Sequence, residues 1–169
     1  MTDGDRQRGQ DQSELKRPPI VRAAIVHDLD DIVAFNKAMA VETEGKELDD
    51  ATIREGVRSA LADPGRARYF IAEVNGEVAG QTMITLEWSD WRNGFFWWIQ
   101  SVYVRPEHRR RGVFRALHTF VRDEARRTVG VCGLRLYVYS ANSRAIATYD
   151  RLGMHRTQYL LFEEEWPTR

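Results

Sequence analysis

The sequence predicts an α/β domain built on a mixed, mostly antiparallel sheet of six or seven strands, with about four helices around it. Three observations lead there. Runs of β-branched and aromatic residues at 69–74, 78–87 and 95–104 are joined by short turns, the pattern of an antiparallel meander. The last of these runs is followed by a helical pattern and then by another apolar run at 134–139. That makes a strand–helix–strand crossover and therefore a parallel pair. Two helical patterns precede the meander, giving the order β-α-α-β-β-β-α-β-α-β. A sheet antiparallel on one side and parallel on the other can splay into a V between its two parallel central strands. Ligands of α/β proteins collect where parallel strands end.

The elements follow in order. Residues 1–19 are polar, poor in apolar side chains and end in Pro18-Pro19, so they read as a disordered tail before a single domain at 20–169. Ile20–Val26 is a first strand, and Asp28 is placed to cap the helix carrying Ile32, Phe35, Met39 and Ala40. Gly45 ends it. Asp49 or Asp50 opens a second helix, with Ile53, Val57, Ala60 and Leu61 on one face, stopped by Asp63-Pro64-Gly65. Asn75-Gly76 is a hairpin turn between the first two meander strands. Phe95–Val104 is aromatic on both faces, hence central. The next helix runs to about Thr128 with Phe114, Leu117, Val121 and Ala125 as its apolar stripe, Phe114 included among the residues facing the sheet. Asn142 caps a short helix ending at Gly153, and His155–Glu164 is a last strand, continuous or broken.

Composition narrows the function. The chain has 169 residues, 43% hydrophobic and 30% charged, with a formal net charge of zero. That suits one globular domain and lacks the basic surplus of a general nucleic-acid binder. A single cysteine, Cys132, in an apolar context excludes an internal disulfide and reads as a small buried hydrophobe. His108 and His118 are ten residues apart without a third ligand, so no metal site is expected. The longest apolar run is shorter than the ~20 residues of a membrane span, and a cytoplasmic protein without membrane or nucleic-acid partners is the expectation.

The informative stretch is Gln100 to Leu117. A strand passes through Arg105-Pro106-Glu107-His108-Arg109-Arg110-Arg111-Gly112 into a helix start. Unpaired first-turn amides, the helix dipole, a glycine permitting close approach and several arginines make a phosphate-binding turn. Read as a nucleic-acid patch instead, the arginines lack interleaved aromatics.

The hexapeptide Arg109-Arg110-Arg111-Gly112-Val113-Phe114, with the later block Asn142-Ser143-Arg144-Ala145 through Tyr149 to Gly153-Met154, resembles the two motifs of the GNAT superfamily of acetyl-CoA-dependent N-acetyltransferases. The likeness covers about Ile20 to Trp166 and loosely suggests the polyamine- and thialysine-type branch. It implies acetyl transfer to a primary amine of a small molecule, or of a peptide or protein, with acetyl-CoA as co-substrate, no metal, and a homodimer as the usual assembly. By the resemblance, the amides of Arg111, Gly112, Val113, Phe114 and Arg115 hold the pyrophosphate, and Arg109 and Arg110 open that loop. Val102, Tyr103 and Val104 line the pantetheine, Val102's amide polarises the thioester carbonyl, Asn142 contacts the pantetheine arm, and Tyr149 protonates the leaving thiolate.

The chain departs from that pattern twice. Phe114 stands where the motif has a small residue. Gln100 and Ser101 stand where the polyamine branch carries a Glu-Asp pair. An alkylamine with a pKa of about 10 must lose a proton before attack, and Gln100 cannot take it. Glu87 is the first candidate base and Glu73 the second, each also readable as a solvated carboxylate. Glu42, Glu44 and Glu47 lie where the family builds one acceptor wall. Trp88 or Trp91 would flank the acceptor pocket, pack in the sheet with Trp97 and Trp98, or meet a second subunit. The missing glutamate also leaves open a non-catalytic acyl-CoA-binding sensor.

Overall fold

The computed structural model describes residues 18–166, so of the expected tail only Pro18 and Pro19 fall inside the described residues. The chain forms two compact units, one ending at Tyr137 and one starting at Val138.

In the first unit five strands lie in chain order in one sheet: β1 (Ile20–Ala23), β2 (Arg68–Val74), β3 (Glu77–Ser89), β4 (Gly94–Val104) and β5 (Val131–Arg135). The junctions from β1 to β4 are antiparallel and β4–β5 is parallel. The mixed sheet, the meander and the crossover are therefore as the sequence predicts. The strand count is not. Among the described residues five strands form, and the last strand expected at His155–Glu164 is absent. Its apolar residues are consecutive, not alternating, and stay in solvent, Tyr159 at 79% and Phe162 at 88% exposure. A strand exists through its ladder partner, and the described residues of the second unit include no other strand to supply one. The run expected at 134–139 pairs earlier, at Val131–Arg135. Cys132 is exposed on that edge strand, correcting its expected burial.

Three helices belong to the same unit: α1 (Leu29–Glu44), α2 (Asp50–Ala62) and α3 (Val113–Arg127). Gly45, at φ 64°, closes α1, and the Asp49 carboxylate caps α2 by accepting from the Thr52 amide at 2.8 Å. Asp28 does not cap α1. Its carboxylate accepts instead from the Arg22 guanidinium at 2.7 and 2.8 Å and from the Ile25 amide at 2.7 Å. Burial alone would push this carboxyl up, but those donors together hold it below its ordinary value. Asn75 and Gly76 both have positive φ, 54° and 83°, as the tight hairpin between β2 and β3 requires.

The sheet has a helix layer on each face. Val113, Leu117, Val121 and Ala125 of α3 pack on Phe70, Ala72, Ile84, Trp97 and Ile99. Ile32 and Val33 of α1 with Val57 and Ala60 of α2 pack on Tyr69 and Ile71 on the other. The α3 stripe thus begins at Val113 and not at Phe114. Helical spacing from Leu117 places Val113 directly beneath it, and Phe114 turns aside to stack on His118, ring centroids 6.1 Å apart. The second unit contains α4 (Ser143–Arg151).

Candidate functional site

The site is organised by one irregularity in β4. Gln81 pairs with Tyr103 but Met83 pairs with Gln100, so β4 carries one residue more than β3 over this interval. Ser101 absorbs it at φ 49°, a left-handed conformation uncommon for a residue with a Cβ. Buried side chains clamp this bulge. Gln81 Nε2 donates to the Ser101 carbonyl at 3.3 Å and to Asn36 Oδ1 at 3.0 Å, while Thr82 Oγ1 donates to the Gln100 carbonyl at 3.3 Å. Asn36 Nδ2 in turn donates to the Tyr69 hydroxyl at 3.2 Å, and burial pushes that phenol up. The bulge resets which side chains face where. Trp97 and Ile99 before it and Val102 and Val104 after it all lie on the α3 face.

Beside the bulge the β4–β5 ladder ends. Parallel pairing of β4 with β5 runs from Phe95–Val131 to Trp98–Arg135 and stops, while β4 continues to Val104. Val102, Tyr103 and Val104 are therefore on a stretch of β4 beyond the β5 ladder.

Past Val104 comes the basic turn. Arg109 does not point outward. Its Nε donates to the Val104 carbonyl at 2.9 Å, its Nη2 donates to Glu42 at 2.6 Å, and the guanidinium lies 5.6 Å from the Tyr103 ring centroid. The Tyr103 hydroxyl donates to the other Glu42 oxygen at 3.2 Å; burial first, and then that carboxylate, pushes the phenol up. Glu42, expected to hold the acceptor amine, instead ties α1 to the turn, because α1 ends against the C-terminal end of β4. Arg110 and Gly112 adopt left-handed φ, 65° and 84°, turning the chain into α3. The first bond of α3 runs from the Ala116 amide to the Gly112 carbonyl at 2.9 Å, so the amides of Val113, Phe114 and Arg115 precede the ladder. Arg110, Arg111 and Arg115 are exposed around them. An open cleft of about 430 Å³ lies alongside, lined by Gly112, Arg115 and Thr119 with Pro19, Val21 and Phe120.

Gly80 lets this end close. A Cβ there would stand 2.7 Å from the Tyr103 carbonyl oxygen and 3.2 Å from Val113 Cγ1. The sequence signal was available, since a glycine inside a strand marks close backbone approach.

Earlier along β4 the face opposite α3 is polar and aromatic. Gln100 Nε2 donates to Thr85 Oγ1 at 2.7 Å. Glu87 accepts from the Trp98 indole and from the Arg135 guanidinium. The guanidinium carbons of Arg135 and Arg92 lie 3.8 and 5.2 Å from the Phe96 ring centroid, and the Tyr137 ring lies 6.0 Å from Trp98. Gln100, expected to bind acceptor, and Glu87, the first candidate base, share this face. Trp88 does not: it stands on the α3 face, edge-on to Phe95 at 4.9 Å and 53% exposed. Strand alternation decides this, because Glu87 and Trp88 are neighbours and must point to opposite faces. Glu44 pairs in solvent with Lys46 at 2.9 Å. Glu73, the second candidate base, lies on β2 and accepts from Arg22 at 2.7 Å. Sequence reasoning missed Ser101's bulge, Arg92 and Arg135, which only register brings together.

In the second unit Asn142 caps α4, its Oδ1 accepting from the Ala145 amide at 3.0 Å. Tyr149 lies within α4, and burial pushes its phenol up.

These features have known counterparts. The model of the "Acetyltransferase (GNAT) family" matches residues 29–154. The chain belongs to that family. It is 35% identical over 81 residues to a thialysine N-epsilon-acetyltransferase of Caenorhabditis elegans, 48% of this chain and 49% of the relative. The match thus spans about half the length of that curated relative. The crystal structure of a possible acetyltransferase from Clostridium difficile 630 superposes with a TM-score of 0.83 at 42% identity, covering 90% of this chain and all of that one. A predicted acetyltransferase with acetyl-CoA from Clostridium acetobutylicum shares the fold, with a TM-score of 0.70 at 19% identity over 86% of this chain and 96% of its own. GNAT acetyltransferases use acetyl-CoA. Among the described residues no cluster of three or more His, Cys, Asp or Glu could hold a metal, and no helix is long and apolar enough to cross a membrane.

Proposed function

We propose that this chain transfers an acetyl group from acetyl-CoA directly to a primary amine. The observation that carries the reading is the end of the β4–β5 ladder at Trp98–Arg135, immediately ahead of a basic turn and the first-turn amides of α3, which precede its ladder. A pantetheine arm is an amide chain and pairs with a strand as another strand would. The unladdered stretch of β4 at Val102–Val104 suits it, in a V between the two parallel strands. The pyrophosphate then meets the amides of Val113–Arg115, with Arg110, Arg111 and Arg115 as counter-charges.

The chemistry is mostly positioning. The amine nitrogen attacks the thioester carbon, the C–S bond breaks, the thiolate takes a proton from Tyr149, and the proton lost by the acetylated nitrogen returns to the phenolate. The raised phenol of Tyr149 suits a donor that stays protonated at neutral pH. The Val102 amide, just past the bulge, polarises the carbonyl. Gln100 cannot accept the ammonium proton. Glu87 is the carboxylate on the same face, but it lies opposite Phe96, four residues from Gln100. At about 3.4 Å per residue it receives that proton through water.

Three experiments test this. Calorimetry with acetyl-CoA should show one saturable site per chain; no binding would sink the reading. Tyr149→Phe should keep that affinity and lower turnover, measured as release of free thiol with an amine acceptor, and Glu87→Gln should lower the rate and shift the basic limb of the pH–rate profile.

A further inference from the structure

We propose that the acceptor carries a carboxylate or similar anionic group several carbons from its reacting amine, and that Arg135 and Arg92 recognise it. The inference rests on the acetyl-transfer reading and specifies its substrate class.

The face of β4 that bears Gln100 has few charges, and their balance decides the matter. Of the three carboxylates expected to attract a cationic amine, Glu42 is engaged by Arg109 and Tyr103 and Glu44 by Lys46, and Glu47 is exposed in the connection between α1 and α2, not on β4. On the acceptor face there remain two guanidiniums over one aromatic ring, Phe96, and one carboxylate, Glu87. The local sum is positive. Arg135 spends one nitrogen, Nη1, on Glu87. Arg92 has no ion-pair partner among the described residues, only the Phe96 ring. Both guanidiniums therefore keep donors in a fork suited to a planar anion. Glu87, itself fixed by the Trp98 indole, holds Arg135 over the ring. A polyamine, with a second cation at this distance, would meet the wrong sign.

The spacing sets the acceptor's length. Arg135 is the β5 partner of Trp98, two residues from Gln100, and Phe96 is four residues from it. At about 3.4 Å per residue the anion subsite lies about 7–14 Å along β4 from Gln100, which adjoins the bulge where acetyl transfer is placed. A chain of about five methylenes between amine and carboxylate spans the nearer limit.

The test compares matched acceptors with acetyl-CoA and the full chain: 6-aminohexanoate, hexylamine and 1,6-diaminohexane. The expected kcat/KM is highest for 6-aminohexanoate, by about tenfold, the yield of one charge-assisted contact. Arg92→Gln should raise KM for 6-aminohexanoate with kcat little changed and leave KM for hexylamine alone; Arg135→Gln, which also removes the partner of Glu87, should raise KM for 6-aminohexanoate more than KM for hexylamine. Arg92→Gln breaks no ion pair, so its result stands even if Arg135→Gln folds poorly. Equal kcat/KM for the three acceptors, a preference for the diamine, or a KM rise shared equally by hexylamine would overturn the proposal while leaving acetyl transfer intact. Thiol release with none of them, although acetyl-CoA binds, would overturn both.

Discussion

The two working regions of β4 are made of different things. Beyond the bulge, at Val102–Val104 and the turn into α3, the structure works through backbone. It presents amides, left-handed φ at Arg110 and Gly112, and a strand-to-helix approach that only a glycine at position 80 permits. Before the bulge, around Trp98, it works through side chains drawn from three strands, with Glu87 and Arg135 meeting across 48 positions of sequence. The first region should fail when a methyl group is added. The second should tolerate that and respond to charge.

The sharpest way to break the first region is Gly80→Ala. Its Cβ would meet the Tyr103 carbonyl oxygen at 2.7 Å, a backbone atom that cannot rotate away. Overpacking of this kind costs about 1–3 kcal/mol, and a chain of this size loses about 2–4 °C in Tm per kcal/mol. Thermal unfolding should register it, and an unchanged Tm would mean that β3 and β4 have slack at this point. Gly112→Val is next. Nothing lies within 4 Å of its Cβ, so the penalty is conformational: φ is 84°. Forcing a β-branched residue there costs about 1–2 kcal/mol, and if the turn relaxes to relieve it, acetyl-CoA affinity should fall about 5- to 30-fold. Calorimetry reads that directly, with Tm as the control for global damage.

This contrast also explains what could be read before the structure. The basic turn is contiguous, so its glycine, its arginines and the following helix announced it; the meander, the crossover and the Asn75-Gly76 hairpin were legible for the same reason. The acceptor face was not. Its membership depends on the register between strands, and a single inserted residue at Ser101 reverses every later side chain. Trp88 was assigned to the acceptor side as a residue of the turn before β4, whereas it lies within β3, where alternation puts it on the face opposite Glu87. Glu42 was assigned through the acceptor wall that the family resemblance implies, whereas its partners, Tyr103 and Arg109, are 61 and 67 residues away. The expected final strand failed differently: apolar content was visible, but no sequence rule supplies the missing partner strand.

Ionisation behaviour should divide along the same line. His118, on α3, is 2% exposed, and neither ring nitrogen finds a hydrogen-bond partner among the described residues. Burial first, and then nearby Arg122, pushes its pKa below the ordinary value, with Asp123 opposing. The sign follows from linkage. Below pH of about 6.5 the unfolded chain takes up a proton that the folded chain refuses, so stability falls on acidification, approaching about 1.4 kcal/mol per pH unit. The loss ends once pH is below the folded value. Tm measured at pH 7.5 and 5.5 should show a drop that His118→Leu reduces; equal drops in both proteins would assign the acid sensitivity elsewhere.

Glu42→Gln has the smallest expected effect and separates the two regions most directly. If Glu42 were the anionic wall of the acceptor site, removing its charge would raise KM for every cationic amine. In the structure it accepts from the Tyr103 hydroxyl and from Arg109 instead, with a side chain 41% exposed. An ion pair so open to water is worth about 0–1 kcal/mol. The expected outcome is a Tm lowered by at most a few degrees, an acetyl-CoA affinity changed by less than about fivefold, and an amine KM that does not move. Arg109 would keep its bond to the Val104 carbonyl, so the turn should hold its shape. A rise in amine KM with acetyl-CoA affinity untouched would transfer Glu42 to the acceptor region and remove the charge argument that favours an anionic acceptor.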